Sequence, residues 1–236
     1  MFVETESASL ETIYRLKDTG VHAPASTTLH ANFISLVKPG DLFLDIGCAH
    51  GRVTHQLDIL GARAVAFDPN LQELLTGKAE FPELSFLQAY GEYQPFPPDT
   101  FDGAVMLGVL GAVNRNQREE ILNETMRVLK DGGLIYVAEF ALINDPFQRT
   151  HYDNRRWVDV YTRDSNVIGE YGSVVVHNTR DGGIWFIAHH FRSDELSDLL
   201  QHSGVKIMAS KNVTVESQVS GQLRDTFNIW GLKVKS

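Results

Sequence analysis

The stretch "LFLDIGCAHGRVTHQL", residues 42–57, runs from an apolar segment through a tight small-residue turn into a helical repeat. Leu42–Leu44 and Ile46 read as a buried strand. Gly47, Ala49 and Gly51 follow at alternate positions, and Val53, Leu57 and Leu60 then recur at helical spacing. A strand, a turn of small residues and a helix bring backbone N–H groups close to a nucleotide-like ligand. Asp45 stands two residues before the first glycine, and its charge needs a reason.

The same pattern continues on both sides. Upstream, Leu29, Phe33, Ile34 and Val37 share one helical face, and "KPGD" (38–41) ends that helix. Downstream, "ARAVAFDPN" (62–70) is a short strand closing on Asp68, "LQELLTGK" (71–78) a helix and "LSFLQAY" (84–90) a strand. "QPFPPDT" (94–100) is a turn and "FDGAVMLGVL" (101–110) a buried strand. "NQREEILNETMRVLKDGG" (116–133) is the clearest helix, with Leu122, Met126 and Leu129 in one stripe beside Ile121, Thr125 and Val128; Gly132 and Gly133 are expected to stop it. "LIYVAEF" (134–140) is a strand. Alternation of strand and helix over 42–140 predicts a doubly wound, mostly parallel sheet covered on both faces.

Residues 141–190 lack this alternation and read as an insertion, or cap, over the carboxyl edge of the sheet within a single domain of residues 1–236. Within them "GSVVVHNTRDGGIWFIAHHF" (172–191) predicts a hairpin turning at "RDGG". "SDELSDLLQHSG" (193–204) returns to helix with Ser193 as the expected N-cap, and "VKIMASKNVTVE" and "TFNIWGLKVK" are late strands.

Composition narrows the function. The 236 residues carry a formal net charge of −9, which disfavours nucleic acid, whose binding needs a basic face. "NRRWVDVYTR" (154–163) concentrates arginines and aromatics but interleaves aspartates. No apolar run is long enough to span a bilayer, and the N-terminus has early acids and no apolar signal core, so a cytoplasmic location is expected. Cys48 is the single cysteine; no disulfide within the chain and no metal cluster is expected.

Asp45 argues against a dinucleotide. A pyrophosphate sits on the helix N-terminus, where a carboxylate would repel it. Asp45 suits a ligand with positive charge near the turn, and S-adenosylmethionine has a sulfonium, an ammonium and no phosphate. Asp68, at the end of the next strand, can accept bonds from both ribose hydroxyls. A helix-capping Asp45 and a turn-starting Asp68, with Pro69 after it, are the plainer alternatives.

At these residues the chain resembles a family. "LDIGCAHG" resembles the first motif of class I S-adenosylmethionine-dependent methyltransferases (methyltransferase type 11-like), and "AVAFDPN" the second. "FLQAYGEYQPFPPDTFDGAVMLGVL", "RVLKDGGLIYVAE" and "HHFRSDELSDLLQHSGV" are similar to later elements of the family, in order. The resemblance implies a Rossmann-like sheet of seven strands whose final strand runs antiparallel. It implies S-adenosyl-L-methionine as cofactor, bordered by Asp45, Gly47, Cys48, Ala49, Gly51, Asp68, Pro69, Tyr90, Gly91, Glu92, Leu107 and Gly108. Asp45 would lie at the amino-acid end, Asp68 on the ribose, Leu107 and Gly108 beside the methionine part. Two positions depart from the family pattern. Ala49 stands for a glycine, at a cost of roughly 1–2 kcal/mol if its φ is positive. Tyr90 stands for an aspartate that binds adenine, and either its hydroxyl or its ring would take that role.

Many relatives carry His-His after the fourth strand; Gly111-Ala112 stand there instead. Any base must come from elsewhere, and His151, Tyr152, His189 and His190 are the catalytic candidates. Adjacent histidines at a strand end face opposite sides, so one of His189 and His190 would face a cleft. Cys48, Met106 and Met126 read as packing. Trp157 and Trp185 either line an acceptor site or fill the insertion's own core. The expected activity is methyl transfer to a small molecule, with RNA or protein as the rival acceptor and a non-catalytic binding protein as the third reading. The insertion's aromatics are expected to form an acceptor wall, and a homodimer contact is the plainer alternative.

Overall fold

The structure is a computed structural model that describes residues 29–142, 172–177, 184–216 and 223–234. Nine strands and five α-helices are assigned among these residues: α1 (Ala31–Ile34), β1 (Leu42–Ile46), α2 (Arg52–Ile59), β2 (Arg63–Asp68), α3 (Leu71–Glu80), β3 (Ser85–Gln88) and β4 (Phe101–Leu107). A short 3₁₀ turn (Leu110–Ala112) precedes α4 (Arg115–Val128) and β5 (Leu129–Phe140). The chain ends with β6 (Ser173–His177), β7 (Ile184–His189), α5 (Ser193–His202), β8 (Val205–Glu216) and β9 (Leu223–Lys233).

Seven strands form one sheet in the order β3-β2-β1-β4-β5-β9-β8. Strands β1 to β5 pair in parallel, and β9 runs antiparallel to both β5 and β8. This is the expected seven-stranded sheet with an antiparallel final strand. Strand β1 lies between β2 and β4, so successive crossovers leave it in opposite directions. The carboxyl ends of β1 and β4 therefore flank the crevice where open α/β sheets hold ligands.

Side-chain alternation along β1 builds both layers. Leu44 and Ile46 join Phe67, Ala104, Met106 and Val137 under α4 and α5. Phe43 joins Val105, Leu107, Tyr136 and Trp230 under α1 and α2, with Leu29 and Phe33 from the N-terminal side. Asp45 has the parity of Phe43 and faces α2.

Three boundaries differ from expectation. α4 ends at Val128, not at the glycine pair, because Leu129 already pairs with Phe101. Gly132, at φ 73°, lies in the irregular stretch before pairing resumes at Leu134 and Gly103. The N-cap of α5 is Arg192, and Ser193 is the first helical residue. Arg192 N donates to Glu195 Oε2 at 3.3 Å, so the box that begins this helix closes one residue earlier. The N-terminal helix is a single turn, Ala31–Ile34, and residues 1–28 lie outside the described residues.

The hairpin exists: β6 and β7 pair antiparallel as a separate two-stranded sheet, while its predicted turn at 180–183 is outside the described residues. Its last residues return to the main body. Ala141 bridges Phe191 in parallel, and Phe191 N donates to Phe140 O at 2.9 Å.

Candidate active site

The turn after β1 is fastened to the end of β2. Gly47 N and Cys48 N both donate to Phe67 O, at 2.9 and 3.0 Å, and Ala49 N donates to Asp68 Oδ2 at 3.0 Å. Asp68 Oδ1 accepts from Asn70 N at 2.8 Å, which sets the start of α3. One carboxylate thus orients both the glycine turn and the next helix. Asn70 completes that start as N-cap, its Oδ1 accepting from Gln72 N at 2.9 Å.

Small residues are required here by space as well as by φ. A Cβ on Gly47, at φ 67°, would lie 2.7 Å from Val109 Cγ2, and one on Gly51, at φ 88°, 2.6 Å from the Phe86 ring. Ala49 occupies the left-handed region at φ 48°, the strained branch of the expectation.

Asp45 is 2% exposed, and its Oδ2 accepts from Thr54 Oγ1 at 2.6 Å, with Thr54 itself buried on α2. Burial pushes the Asp45 carboxyl up to about 6; the Thr54 bond and the charge of Arg52 oppose this without cancelling it. Burial likewise depresses Arg52, while Asp45 supports its charge. His50 in the same turn stands 3.6 Å from Glu73 on α3, and its bond to that carboxylate raises its pKa. Burial pushes the Cys48 thiol well above its ordinary range, and its Sγ lies 3.4 Å from Ala49 O, the environment of a packing thiol.

Asp68 pairs in register with Gln88, so Ala89–Glu92 continue along the same edge. Tyr90 is 51% exposed there, and its carbonyl accepts from Tyr93 N at 3.1 Å. Glu92 is committed elsewhere: its Oε1 accepts from Gln117 Nε2 at 2.6 Å, tying this loop to α4. Gly91 packs on Ile121, which a Cβ would approach to 2.9 Å. Pro69 O accepts from Gln88 Nε2 at 3.0 Å. On the far side of β1, Leu107 is buried, and Gly108, at φ 71°, donates its N–H to Ala138 O at 2.8 Å. The set gathered at one sheet edge is therefore Asp45, the 47–51 turn, Asp68–Pro69, the 89–92 loop and Leu107–Gly108.

The candidate bases are spread differently. His189 is fully buried with Nε2 2.9 Å from Glu195 Oε1, and its ring stands edge-on to Phe191. His190 packs its ring on Phe140, with centroids 5.2 Å apart. The two rings have different partners, as adjacent strand-end positions require. His151 and Tyr152 lie outside the described residues, as does Trp157.

Sequence reasoning passed over Glu139 and Arg118. Glu139, 1% exposed at the end of β5, accepts from Leu110 N at 2.7 Å and from Gly111 N at 3.2 Å. Burial pushes its carboxyl up to about 7, against these bonds and the charge of Arg118. Arg118 on α4 donates from Nε to Leu110 O at 2.8 Å and covers the Phe191 ring at 5.1 Å. The available signal was charge out of place: Glu139 closes an apolar strand, and Arg118 precedes Ile121 and Leu122 by three and four positions on the buried stripe.

Comparison with known proteins addresses this same region. A family profile described as "Methyltransferase domain" matches residues 44–137. That match spans less than half of the 236 residues. The fold is shared with solved proteins: an S-adenosylmethionine-dependent methyltransferase of Methanosarcina mazei superposes with a TM-score of 0.80 at 24% identity, covering 89% of this chain and 100% of that one. A Burkholderia thailandensis 1,6-didemethyltoxoflavin N1-methyltransferase, solved with bound 1,6-didemethyltoxoflavin and S-adenosylhomocysteine, gives 0.63 at 16% identity, covering 95% and 85%. Among curated relatives, the chain is similar to a demethylmenaquinone methyltransferase of Renibacterium salmoninarum, 32% identical over 44% of this chain and 43% of the relative. It is also similar to a ubiquinone/menaquinone biosynthesis C-methyltransferase of Ectopseudomonas mendocina, 33% identical over 51% and 50%. The chain thus spans half or less of the length of these two relatives.

Proposed function

We propose that the chain is an S-adenosylmethionine-dependent methyltransferase acting on a small-molecule acceptor. The observation that carries this reading is the pair Asp45 and Asp68, two carboxylates on adjacent strand ends around a glycine turn that one of them fastens. A pyrophosphate at the turn would meet the Asp45 carboxylate, while Asp68 suits a ribose in either ligand; a sulfonium amino acid meets a buried carboxylate that gains from a cation.

The donor set fits that cofactor. Asp45 would face its ammonium end, Asp68 its ribose hydroxyls, and the 47–51 turn its backbone-facing edge, where Gly47 and Gly51 have no room for a side chain. Leu107 and Gly108 would border the methionine part, and the 89–92 loop with Tyr90 the adenine. When bound, S-adenosylmethionine supplies an electrophilic methyl: a bond forms from acceptor to carbon, the carbon–sulfur bond breaks, and the acceptor releases a proton. The chain's contribution is alignment and exclusion of water, which alone supplies several kcal/mol.

Names of relatives support a small acceptor: demethylmenaquinone for one, 1,6-didemethyltoxoflavin for a structural neighbour. Demethylated quinols and fused heteroaromatics are therefore the first acceptors to screen. A cytoplasmic location belongs to the same proposal, and no helix among the described residues is long and apolar enough to cross a membrane. So does an acceptor wall built from residues 141–190, whose described part returns to the carboxyl edge at His189–Phe191.

The test is calorimetry with S-adenosylhomocysteine and with NADH, followed by the acceptor screen with labelled methyl donor. The reading expects saturable binding of the first ligand only. NADH binding without S-adenosylhomocysteine binding overturns it.

A further inference from the structure

The charged cluster behind the turn after β4 has no part in holding the cofactor as described above. Leu110 in that turn is gripped by both its backbone groups: its N–H donates to Glu139 on β5, and its carbonyl accepts from Arg118 on α4. Glu139 also accepts from Gly111 N. Burying a carboxylate and a guanidinium is costly, and charge-assisted bonds to backbone are what offset it. Packing alone would be served equally well by leucine-sized residues.

Each end of this turn touches a different part of the molecule. At Gly111, a Cβ would lie 2.6 Å from His189 O and 3.0 Å from Glu139 Oε2, so the inserted hairpin closes directly onto it. At Val109, the side chain lies against Gly47 so closely that a Cβ there would come within 2.7 Å of Cγ2. Glu139 is therefore two residues away from the wall of the glycine turn. The charged groups around it are Arg118 on α4 and, through His189, Glu195 on α5.

We propose that Glu139, together with Arg118, is a positioning residue for methyl transfer: it fixes the 107–112 turn so that Val109 holds the Gly47 turn in its cofactor-ready shape. The proposal rests on the cofactor reading above. Glutamine at 139 keeps one acceptor but sets an amide N–H₂ against a backbone N–H.

The experiment pairs amide hydrogen exchange with S-adenosylhomocysteine calorimetry on wild type, Glu139→Gln and Arg118→Lys. Exchange at the Leu110 and Gly111 amides should accelerate about tenfold or more in Glu139→Gln, the scale of a lost charged hydrogen bond. S-adenosylhomocysteine affinity should fall by about the same factor, while the paired β8–β9 amides keep wild-type protection. Arg118→Lys keeps the charge and loses the Nε bond, so it should move both readouts in the same direction by a smaller factor. It carries the test alone if Glu139→Gln does not fold. Unchanged exchange at Leu110 and Gly111, or faster exchange with wild-type affinity, overturns the positioning role. Wild-type protein that binds no S-adenosylhomocysteine overturns the cofactor reading instead, which separates the two failures.

Discussion

Titrating S-adenosylmethionine into the protein at pH 6, in buffers of different ionisation enthalpy, measures the proton that Asp45 exchanges on binding. In the free protein burial holds this carboxyl at about 6, so it is half protonated at that pH. A cationic ligand stabilises the carboxylate and returns its pKa toward the ordinary carboxylate range. Binding should then release about half a proton at pH 6 and about a tenth at pH 7. The same linkage makes affinity rise about tenfold between pH 5 and pH 7. His50, raised by Glu73, is the other group in the turn able to release a proton, so Asp45→Asn is the control. In that variant the release at pH 6 should fall sharply and the affinity should lose most of its pH slope. An anionic ligand such as NADH would shift Asp45 the other way and take up a proton. Proton uptake with S-adenosylmethionine, or equal release in Asp45→Asn, refutes the placement of Asp45 beside a cation.

Burial of Asp45 also costs stability. Its folded pKa lies above its unfolded value, so the stability it contributes is complete below about pH 4 and is lost as pH rises through about 6. Asp45→Asn should therefore stabilise the ligand-free protein at pH 8 by roughly 1–3 kcal/mol in urea denaturation, and a loss of stability would contradict the cause assigned to its shift. Ala49→Gly should gain about 0.5–1 kcal/mol, since relief at φ 48° exceeds the extra chain entropy of glycine; thermal melting of the folded variant checks the sign. Asp68→Ala should weaken S-adenosylmethionine by roughly 1–3 kcal/mol in calorimetry, and unchanged affinity would remove Asp68 from the site.

β1 was legible to the residue and β2 to its end at Asp68, because a buried parallel strand is largely an apolar run; the helix between them showed its face in Val53 and Leu57, while Leu60 is its C-cap. The end of α4 was not. Gly132 and Gly133 look like a helix stop, yet Leu129 is captured by Phe101 first, and strand pairing with a distant segment is invisible to a local signal. The α5 cap shows the same limit at shorter range: Ser193 is the favoured residue type, but the backbone N–H that Glu195 caps belongs to Arg192. The placement of Asp45 and Asp68 on adjacent strand ends was legible because charge in an apolar context has few explanations. The sign of φ at Ala49 was not, since alanine is silent about conformation and only the turn's fastening to Asp68 and Phe67 imposes it.

Gly111-Ala112 and the end of the hairpin belong to one arrangement. Any side chain at Gly111 would meet His189 O and Glu139. The glycine is thus the space into which the inserted hairpin's end fits, and a histidine at the same position would push that end away. The turn presents backbone, with no side chain, to the strand end packed against it. His189, brought this close, spends its ring on Glu195, so proximity to the turn comes from its carbonyl while its imidazole fastens the strand end to α5. A base for the acceptor proton, if the acceptor needs one, must then reach the site from a residue other than those that lock this turn. His190, His151 and Tyr152 remain the candidates proposed for it, and their separate replacement by Gln, Gln and Phe should lower turnover on an identified acceptor while leaving S-adenosylhomocysteine affinity unchanged. Loss of affinity in any of these variants would place that residue with the cofactor instead.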